Sequence, residues 1–554
     1  MRKNIVIKYP EKNTVSFTDS VLKNRNVSYS EIMRNFSSIE PPQNMMDAEK
    51  AANRIVAAIQ GNQSIVLYTD YDADGFGCAV VFTELMRNIP YDNFFIFYND
   101  REMGFGMKKN GIDLILQKNP DVKLIITSDN GIVAFDAVDY ANSLGIDVVV
   151  TDHHMPDESG RLPNAVAVVN PHRADETCIY KDFCGTGVLY KVMALVYYML
   201  YKDDKHLNDV LDIVALATIA DVVPLTGENR IFSKIGLSKM SQDCREQWSV
   251  FKELGSTYKP LLSFTSKDVG FFIGPCINAA SRMLGNPSKP LEAFLNTKDI
   301  FIHHAITELV EINNVRKTVQ RQRSAEAFHL ISDCEDDFIV VSMQDCEEGV
   351  VGLVAGDVCN ETYHPTIVLA PDGHGNLKGS GRSIPGVHIK NLLDDVNRDD
   401  PSILISYGGH NQACGLTVRS DKLDRLRTLL NEKCKQLLQD NPNLFVEEVK
   451  VDYLLDDVSQ LQRLYAEKSV MEPFGCEFPE PIVMLVFKPD STKLVKDGKH
   501  IIFKYKGIDI TSWNSGYKLN GKNPQYISRV IAIGTIESGS SINCQHELLQ
   551  ISME

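Results

Sequence analysis

The sequence predicts an α/β protein with a parallel-sheet domain, a long connecting helix, a second α/β domain and a small C-terminal β-barrel. Three observations support this fold class. Apolar runs typical of strands buried on both faces recur in two groups, a long polar helical stretch separates the groups, and short alternating strands lie near the end of the chain. With 554 residues the chain is too long for one hydrophobic core, which agrees with several domains.

The composition is that of a globular protein. Hydrophobic residues make up 44% of the chain and charged residues 23%. No apolar run is long enough to cross a bilayer, the N-terminus lacks the apolar core of a signal peptide, and the 12 cysteines include no C-x-x-C pair. We therefore expect a cytoplasmic protein without membrane association. The net charge of −16 argues against a polyanionic partner unless local basic faces or metal ions offset it.

The first predicted strand, residues 64–69, runs directly into three aspartates, Asp70, Asp72 and Asp74. Open α/β sheets bind their ligands beyond the carboxyl ends of the strands, so these side chains are expected in a site. Three carboxylates this close repel one another unless a cation lies between them. Oxygen ligands at this density favour a hard divalent ion such as Mg²⁺ or Mn²⁺.

Three further segments end in the same way. A strand over residues 122–127 leads to Asp129, a strand over 147–151 leads to Asp152, His153 and His154, and a helical pattern over 210–220 ends at Asp221. Each acid alone could simply cap a helix. Four such motifs at one edge of a sheet make a shared metal site the better interpretation.

Other segments have less specific patterns. In the turn 101–106, Arg101 and Phe105 either face a phosphate and a base, or form an ordinary turn with Phe105 in the core. In the second α/β unit, Gly-Ser-rich residues 378–383 and the segment 407–410 would let the backbone approach a phosphate. The C-terminal strands fit an oligonucleotide-binding fold or another small barrel. The predicted domains are an N-terminal extension without an assigned role (1–44), a parallel-sheet domain (45–300), a connecting helix (301–333), a second α/β domain (334–450) and a barrel (451–554).

The motifs Asp70-Tyr-Asp-Ala-Asp-Gly75, Ser128-Asp-Asn-Gly131, Asp152-His-His154 and Ala220-Asp-Val-Val-Pro-Leu225 together resemble those of the DHH phosphoesterase superfamily. Within it the chain is similar to the RecJ branch, the single-stranded-DNA-specific 5′→3′ exonucleases. The branch is supported by Asn278-Ala-Ala-Ser-Arg-Met283, by Gly379-Ser-Gly-Arg-Ser383 in what would be a DHH-associated domain, and by Tyr407-Gly-Gly-His410.

The resemblance implies a role for each matching residue. The implied ligands of two Mn²⁺ or Mg²⁺ ions are Asp72, Asp74, Asp129, His153 and Asp221, with Asp129 bridging the ions. His154 would contact the scissile phosphate, and Asp70 and Asp152 would orient the ligands. The implied contacts to the DNA strand are Arg101, Phe105, Asn278, Arg282, Ser380, Arg382 and His410.

The chain also departs from the family pattern. Tyr68 stands where some members have histidine, Cys276 replaces an arginine, and Ser281 replaces a glycine. Glu347 lies in Asp345-Cys-Glu-Glu-Gly349, where Trp-His-Pro-Gly is common. Because of Tyr68, the metal centre is expected to have one nitrogen ligand fewer than in those members. The site is otherwise expected to be intact, and the DNA contacts are expected to differ in detail.

The function implied is metal-dependent hydrolysis of single-stranded DNA from the 5′ end to 5′ mononucleotides, in DNA repair, recombination or replication. One alternative is a DHH phosphodiesterase for short oligonucleotides or cyclic dinucleotides. Another is a catalytically silent DNA-binding scaffold. We expect a monomer with single-stranded DNA as its partner, recruited by a single-stranded-DNA-binding protein or a helicase.

Overall fold

The computed structural model describes residues 3–255, 262–295, 299–519, 521 and 523–553. They form two compact units. One holds the described residues of Met1–Ile7, Ala279–Gly285 and Glu308–Val449, and the other those of Lys8–Asn278, Asn286–Thr307 and Lys450–Glu554.

Helices of the N-terminal extension pack into a hydrophobic core. The elements of the extension are β1 (Asn4–Lys8), α1 (Phe17–Asn24) and α2 (Tyr29–Ile32), and α3 (Ala48–Gln60) follows it. Phe17 on α1 is buried among the C-terminal strands, and its ring lies edge-on to Tyr453 at 5.6 Å. Arg25 forms a buried ion pair with Asp452 at 2.8 Å. Helices α1 and α2 of the extension, to which the sequence assigned no role, therefore complete the C-terminal core.

The first sheet is parallel throughout, in the order β3-β2-β4-β5-β6. Its strands are β2 (Ser64–Thr69), β3 (Phe94–Tyr98), β4 (Val122–Ser128), β5 (Asp147–Thr151) and β6 (Ala167–Val169), with helices α4 (Ala73–Arg87), α5 (Lys109–Lys118), α6 (Phe135–Ser143) and α7 (Gly185–Tyr201). Every residue of β2 is buried, as expected for a strand covered on both faces.

A helical segment follows the sheet. It contains α8 (Leu211–Ala220), α9 (Gly227–Ser241), α10 (Glu246–Leu254), α11 (Ser266–Asp268), a π-helical turn (Val269–Ile273), α12 (Gly274–Leu284), α13 (Ser288–Leu295) and α14 (Asp299–Leu330). Helix α8 is apolar and almost fully buried, and its single internal acid, Asp212, accepts a hydrogen bond from Trp248 Nε1 at 2.8 Å. The long helix α14 is the predicted connecting helix.

The second sheet has the order β10-β11-β9-β8-β7, in which only the pair β7–β8 is parallel. The elements here are β7 (Ile339–Ser342), α15 (Glu348–Thr362), β8 (Thr366–Pro371), β9 (Asn376–Arg382), α16 (Ile389–Asp399), β10 (Leu404–Gly409), β11 (Ala413–Arg419), α17 (Leu423–Asp440) and β12 (Val446–Lys450). Strand β12 pairs with β1. Apolar faces of α16 and α17 cover one side of the sheet, with Leu393 and Leu430 fully buried.

The C-terminal strands form one mixed sheet in the order β13-β14-β18-β19-β17-β16-β15, and β20 also pairs with β18. The elements are β13 (Tyr453–Leu454), α18 (Leu461–Val470), β14 (Val483–Phe487), β15 (Ser491–Val495), β16 (His500–Tyr505), β17 (Ile508–Ser512), β18 (Ile527–Ser538), β19 (Ser541–Cys544) and β20 (Gln550–Met553). Among the described residues, no strand pairing joins the two ends of this sheet into a closed barrel.

The predicted fold class is confirmed: a parallel-sheet domain, a connecting helix, a second α/β domain and a C-terminal β domain follow in that order. None of the described helices combines the length and apolar character that a membrane crossing requires.

Candidate metal centre

The carboxyl ends of β2, β4 and β5 lie side by side, because the last residues of these strands are register partners. Asp70, Asp129 and Asp152 each follow one of the strands directly. The acids that the sequence placed at one sheet edge are therefore close in space, as parallel pairing requires.

His153 lies at the centre of this group. Its Nε2 atom is 3.1 Å from Asp129 Oδ1, 3.7 Å from Asp74 Oδ2 and 3.7 Å from Asp221 Oδ2. Asp221, directly after the buried helix α8, therefore lies beside the same histidine as Asp74 and Asp129, which follow strands β2 and β4. All five side chains predicted as ligands converge, since Asp72 belongs to the same group through Asp129.

The possible ligand atoms form three overlapping sets, each within 4.8 Å. The sets are Asp70 with Asp72 and Asp129, Asp129 with His153 and His154, and Asp74 with His153 and Asp221. Asp129 and His153 each belong to two sets, so a pair of ions could share them. This overlap fits the bridging role implied for Asp129.

Asp74 is held by the start of helix α7. Its Oδ2 accepts a hydrogen bond from the Gly185 amide at 2.6 Å, and its Oδ1 accepts from the Thr186 amide at 2.9 Å. A β-carbon on Gly185 would lie 2.6 Å from Asp129 Cβ, so only glycine fits there. The sequence interpretation missed Gly185 and Thr186, although a Gly-Thr-Gly run opening an apolar helix was a visible signal.

Asp70 has a different environment, although it lies only two residues before Asp72. It is 5% exposed, and its Oδ1 is a buried oxygen without a hydrogen-bond partner. Buried carboxylate oxygens are normally satisfied, so this atom is well suited to a cation. The structure therefore places Asp70 among the possible ligands, whereas the resemblance implied only an orienting role.

Asp152 orients both histidines. Its Oδ1 accepts hydrogen bonds from the amides of His153 and His154, at 2.7 and 3.1 Å, and lies 2.8 Å from His154 Nδ1. Its Oδ2 accepts from the Ile132 amide at 2.9 Å. This arrangement fits the orienting role that the resemblance implies for Asp152.

The electrostatics of the site favour a cation. Burial, followed by the charges of Asp72 and Asp74, raises the pKa values of Asp129 and Asp221 well above the usual carboxyl range. Burial also lowers the pKa of His153, which keeps its imidazole neutral and able to bind a metal. Repelling carboxylates, a neutral imidazole and an unsatisfied oxygen together fit Mn²⁺ or Mg²⁺.

The pKa of His154 shifts in the opposite direction from that of His153. Burial alone would lower its pKa, but the hydrogen bond and charge of Asp152, together with Asp72 and Asp74, raise the pKa of His154 to about 9. The side chain therefore carries a positive charge near neutral pH, beside the acids.

The backbone has unfavourable dihedral angles at one of the acids, Asp129, and directly after another, Asp221. Asp129 has φ +61, in the left-handed region that non-glycine residues rarely adopt. Val222, directly after Asp221, also has φ +61, which is costly for a β-branched residue. Strain of this kind persists where surrounding contacts hold side chains in a defined place.

The loop at residues 101–106 lies beside the histidines. Phe105 is 43% exposed and its ring meets that of His154 edge-on at 5.0 Å, so the alternative in which Phe105 is anchored in the core is wrong. The Arg101 guanidinium lies 4.9 Å from the centre of the Tyr71 ring. Asn278 Oδ1 accepts a hydrogen bond from the Ala73 amide at 2.8 Å, which ties it to the acid-bearing turn.

The other predicted DNA contacts belong to the compact unit that contains Ala279–Gly285 and Glu308–Val449. Arg382 Nη1 donates to Ser380 Oγ at 2.9 Å, and burial lowers the pKa of Arg382. Arg282 Nη1 donates to the Gly349 carbonyl at 3.1 Å. The His410 amide donates to Ala413 in the turn between β10 and β11.

The four residues that depart from the family pattern are either hydrogen-bonded or buried. The Tyr68 hydroxyl donates to Asn99 Oδ1 at 2.6 Å. Cys276 and Ser281 are buried in α12. Glu347 accepts two hydrogen bonds from Arg323 of α14, at 3.0 and 3.1 Å.

A parallel sheet with Asp and His side chains converging at its carboxyl edge, followed by a second α/β domain, defines a DHH-type protein. Residues 64–218 match the DHH family, N-terminal domain, and residues 335–436 match the DHHA1 domain. The single-stranded-DNA-specific exonuclease RecJ of Haemophilus influenzae is 31% identical over 442 residues, which cover 76% of each chain. The chain belongs to the RecJ family.

Solved structures agree with this assignment. A crystal structure of RecJ from Thermus thermophilus in complex with Mn²⁺ has a TM-score of 0.80 at 22% identity, covering 100% of this chain and 81% of that one. This likeness concerns the fold. A crystal structure of an exonuclease RecJ bound to manganese has a TM-score of 0.59 at 25% identity, covering 72% of this chain and 98% of that one.

Proposed function

We propose that this chain is a metal-dependent exonuclease that degrades single-stranded DNA from the 5′ end and releases 5′ mononucleotides. The observation that carries the proposal is the convergence of Asp72, Asp74, Asp129, His153 and Asp221 at the edge of the parallel sheet of a RecJ-family chain. Asp70 is added as a ligand, because its unpartnered oxygen lies in the set formed with Asp72 and Asp129.

The metal ions would be Mn²⁺ or Mg²⁺. When bound, they supply Lewis acidity that polarises a phosphodiester and lowers the pKa of a bound water. The protein supplies the geometry. Asp152 holds the histidines in place, Gly185 and Thr186 hold Asp74, and the buried helix α8 delivers Asp221.

His154 would stabilise charge on the substrate. Its raised pKa gives a cation that can donate a hydrogen bond to a phosphate oxygen as negative charge grows in the transition state. Asp152 fixes the ring through Nδ1, so the substrate would be met by Nε2. We assign His154 as a catalytic residue for this reason.

Contacts to the strand would come from two groups. Beside the acids, Arg101 would meet a phosphate, Phe105 would stack on a base, and Asn278 would hold the acid-bearing turn. In the compact unit that contains Glu308–Val449, Ser380 and Arg382 offer a hydroxyl and a guanidinium typical of phosphate sites, with Arg282 and His410 as further contacts.

The C-terminal sheet would guide a long strand. Trp513, Tyr517 and Tyr526 are 48%, 60% and 59% exposed. Exposed aromatic side chains on a small β domain can stack on successive bases without sequence preference. A guide surface of this kind favours a polymer over a dinucleotide as substrate.

The cellular setting follows from the substrate. Single-stranded DNA arises where helicases unwind duplexes and where single-stranded-DNA-binding proteins coat the product. The proposal therefore includes a cytoplasmic monomer recruited by one of these proteins, which sedimentation and pull-down with purified components would test.

The activity itself is tested with end-labelled DNA. With Mn²⁺, a 5′-labelled single strand should release its label as a mononucleotide at once, whereas a 3′-labelled strand should shorten step by step and a blunt duplex should persist. Chelator should abolish both reactions. Release of the 3′ label first would reverse the polarity, and cleavage of dinucleotides in preference to long strands would favour the short-oligonucleotide phosphodiesterase.

A matched pair of variants separates an enzyme from a silent DNA-binding scaffold. Asp129→Asn removes a shared ligand, whereas Asp139→Asn makes the same chemical change at an exposed position on α6. Only Asp129→Asn should lose activity. Equal residual degradation by both variants would assign the activity to a contaminant and support the scaffold.

A further inference from the structure

Tyr68 is a fully buried tyrosine on β2, two residues before Asp70. Its ring packs against Phe97 on the neighbouring strand, with ring centres 4.9 Å apart. Helix α5 leaves room for it, because a β-carbon on Gly111 would lie 2.3 Å from the Tyr68 hydroxyl oxygen. The chain therefore keeps a space for this hydroxyl group.

The hydroxyl is the first link in a chain of hydrogen bonds. It donates to Asn99 Oδ1 at 2.6 Å and accepts from the Lys108 amide at 3.4 Å. Asn99 Nδ2 in turn donates to the carbonyls of Gly104 and Gly106, each at 2.7 Å. Both ends of the turn around Phe105 are thus tied through one buried amide to the strand that leads into the acids.

This turn carries Phe105, which meets the catalytic histidine, and Arg101. Phe105 contacts His154 edge-on at 5.0 Å, and Arg101 lies over Tyr71 at 4.9 Å. Gly104 and Gly106 have φ +75 and +82, so the turn is bent at both of the anchored carbonyls. The position of Phe105 therefore depends on the Asn99 amide.

We propose that Tyr68 is a positioning residue that acts through Asn99 to fix the loop 99–108 and so places Phe105 and Arg101 for the incoming strand. The proposal rests on the single-stranded-DNA exonuclease function given above. Loss of the hydroxyl leaves the buried Asn99 oxygen without a donor, which favours a rearranged loop. A loop that must be ordered by the substrate binds it more weakly.

The test compares Tyr68→Phe with Tyr91→Phe. Tyr91 is also buried and its hydroxyl donates to the Asn93 carbonyl at 2.7 Å, at the start of β3 and away from the acids. For Tyr68→Phe we expect a KM for single-stranded DNA raised roughly 10-fold, with kcat and the Mn²⁺ concentration for half-activation unchanged. Amide hydrogen exchange over residues 99–108 should become faster. Tyr91→Phe should behave as the wild type in all four measurements.

Asn99→Asp provides a second variant. It keeps an acceptor for Tyr68 but loses the donor to Gly104 and Gly106, so KM and loop exchange should rise as in Tyr68→Phe. The double variant should be no worse than either single one, because one chain of contacts is cut twice.

Two results would overturn the proposal. Unchanged KM and unchanged loop exchange in Tyr68→Phe would mean that the hydroxyl fixes nothing, and a fall in kcat with a raised Mn²⁺ requirement would place Tyr68 in the metal centre. Failure of the exonuclease function is a separate outcome: the wild type would not degrade single strands. Hydrogen exchange would still decide whether Tyr68 orders the loop.

Discussion

At the scale of single residues, Asp70 and Asp74 flank Asp72 but have opposite environments. Asp74 accepts two amide hydrogen bonds at the start of α7, whereas Asp70 has a buried oxygen without a partner. In the metal-free protein, Asp74→Asn should lower the free energy of unfolding by about 1–3 kcal/mol. The NH₂ group of the asparagine would replace one of the two accepting oxygens and would face a backbone N–H donor. Asp70→Asn should not destabilise the protein, because a repelled carboxylate is removed. Thermal denaturation in EDTA measures both, and equal destabilisation would contradict the assignment.

Asp70 should also contribute to metal binding. If Asp70 is a ligand, Asp70→Asn should weaken Mn²⁺ binding at least as much as loss of an outer hydrogen-bond partner, roughly 10- to 100-fold. Calorimetric titration with Mn²⁺ provides the measurement, with Asp139→Asn as the control.

His154 gives a further prediction at this scale. His154→Gln keeps a polar side chain but removes the charge that Asp152 stabilises. We expect kcat to fall on the order of 10²- to 10³-fold, as for other groups that stabilise transition-state charge, with little change in Mn²⁺ affinity. Single-turnover kinetics at saturating metal measure the rate of the chemical step, and calorimetry measures the Mn²⁺ affinity. Full activity of His154→Gln would show that another group supplies the charge.

The carboxylates also predict how stability depends on pH. Burial and neighbouring charges raise the pKa of Asp129 and Asp221. A carboxyl group with a raised folded pKa contributes fully to stability below its unfolded pKa of about 4, and this contribution is lost as the pH rises through the folded pKa. In EDTA, the melting temperature should therefore be lower at about pH 8 than at about pH 5.5, and less so in Asp129→Asn. A melting temperature that rises with pH equally in both proteins would contradict this.

At the scale of secondary-structure elements, β2, β4 and β5 could be predicted because each is an apolar run ended by acids, and parallel pairing does the rest. The hold of α7 on Asp74 could not be predicted, since Gly185 lies over a hundred residues away and only tertiary packing brings it near. The exposure of Phe105 could not be predicted, because the turn pattern does not indicate which side of the loop packs against the rest of the protein.

Helix α1 is the clearest element that sequence analysis missed. It has only eight residues, and three of them, Phe17, Val21 and Leu22, are buried. Three apolar residues in a polar segment are too few for a helical period to be recognised from the sequence. Its N-cap, Ser16, accepts a hydrogen bond from the Asp19 amide at 3.1 Å, which was a readable start signal.

The packing of α1 predicts a stability effect. Phe17→Ala removes a ring that is 2% exposed in the C-terminal core, and should cost about 3–5 kcal/mol. Tyr29→Ala, on the next helix, removes a ring that is 54% exposed and should cost little. Urea denaturation would separate the two, and equal midpoints would mean that the N-terminal segment does not complete the core.

At the scale of the whole molecule, an acidic chain with a net charge of −16 is assigned a polyanionic substrate. The conflict is reduced because several of the acids lie in the metal centre, where divalent cations would neutralise them. Aromatic stacking adds attraction that does not depend on charge. Affinity for a long strand should therefore depend on exposed rings of the C-terminal sheet as well as on basic side chains.

Trp513 tests this idea. It is 48% exposed and is held edge-on against His500 at 4.9 Å, as a stacking platform requires. Trp513→Ala should weaken binding of a long single strand by about 1–3 kcal/mol, the range for one stacked base, and leave hydrolysis of a dinucleotide unchanged. Tyr198→Ala, which removes a 57% exposed ring on α7, is the matched control and should change neither. Fluorescence anisotropy with Mn²⁺ replaced by Ca²⁺ measures binding. If Trp513→Ala bound the long strand as tightly as Tyr198→Ala, the C-terminal sheet would have no guiding role, and the preference for polymers would have to come from the two α/β domains.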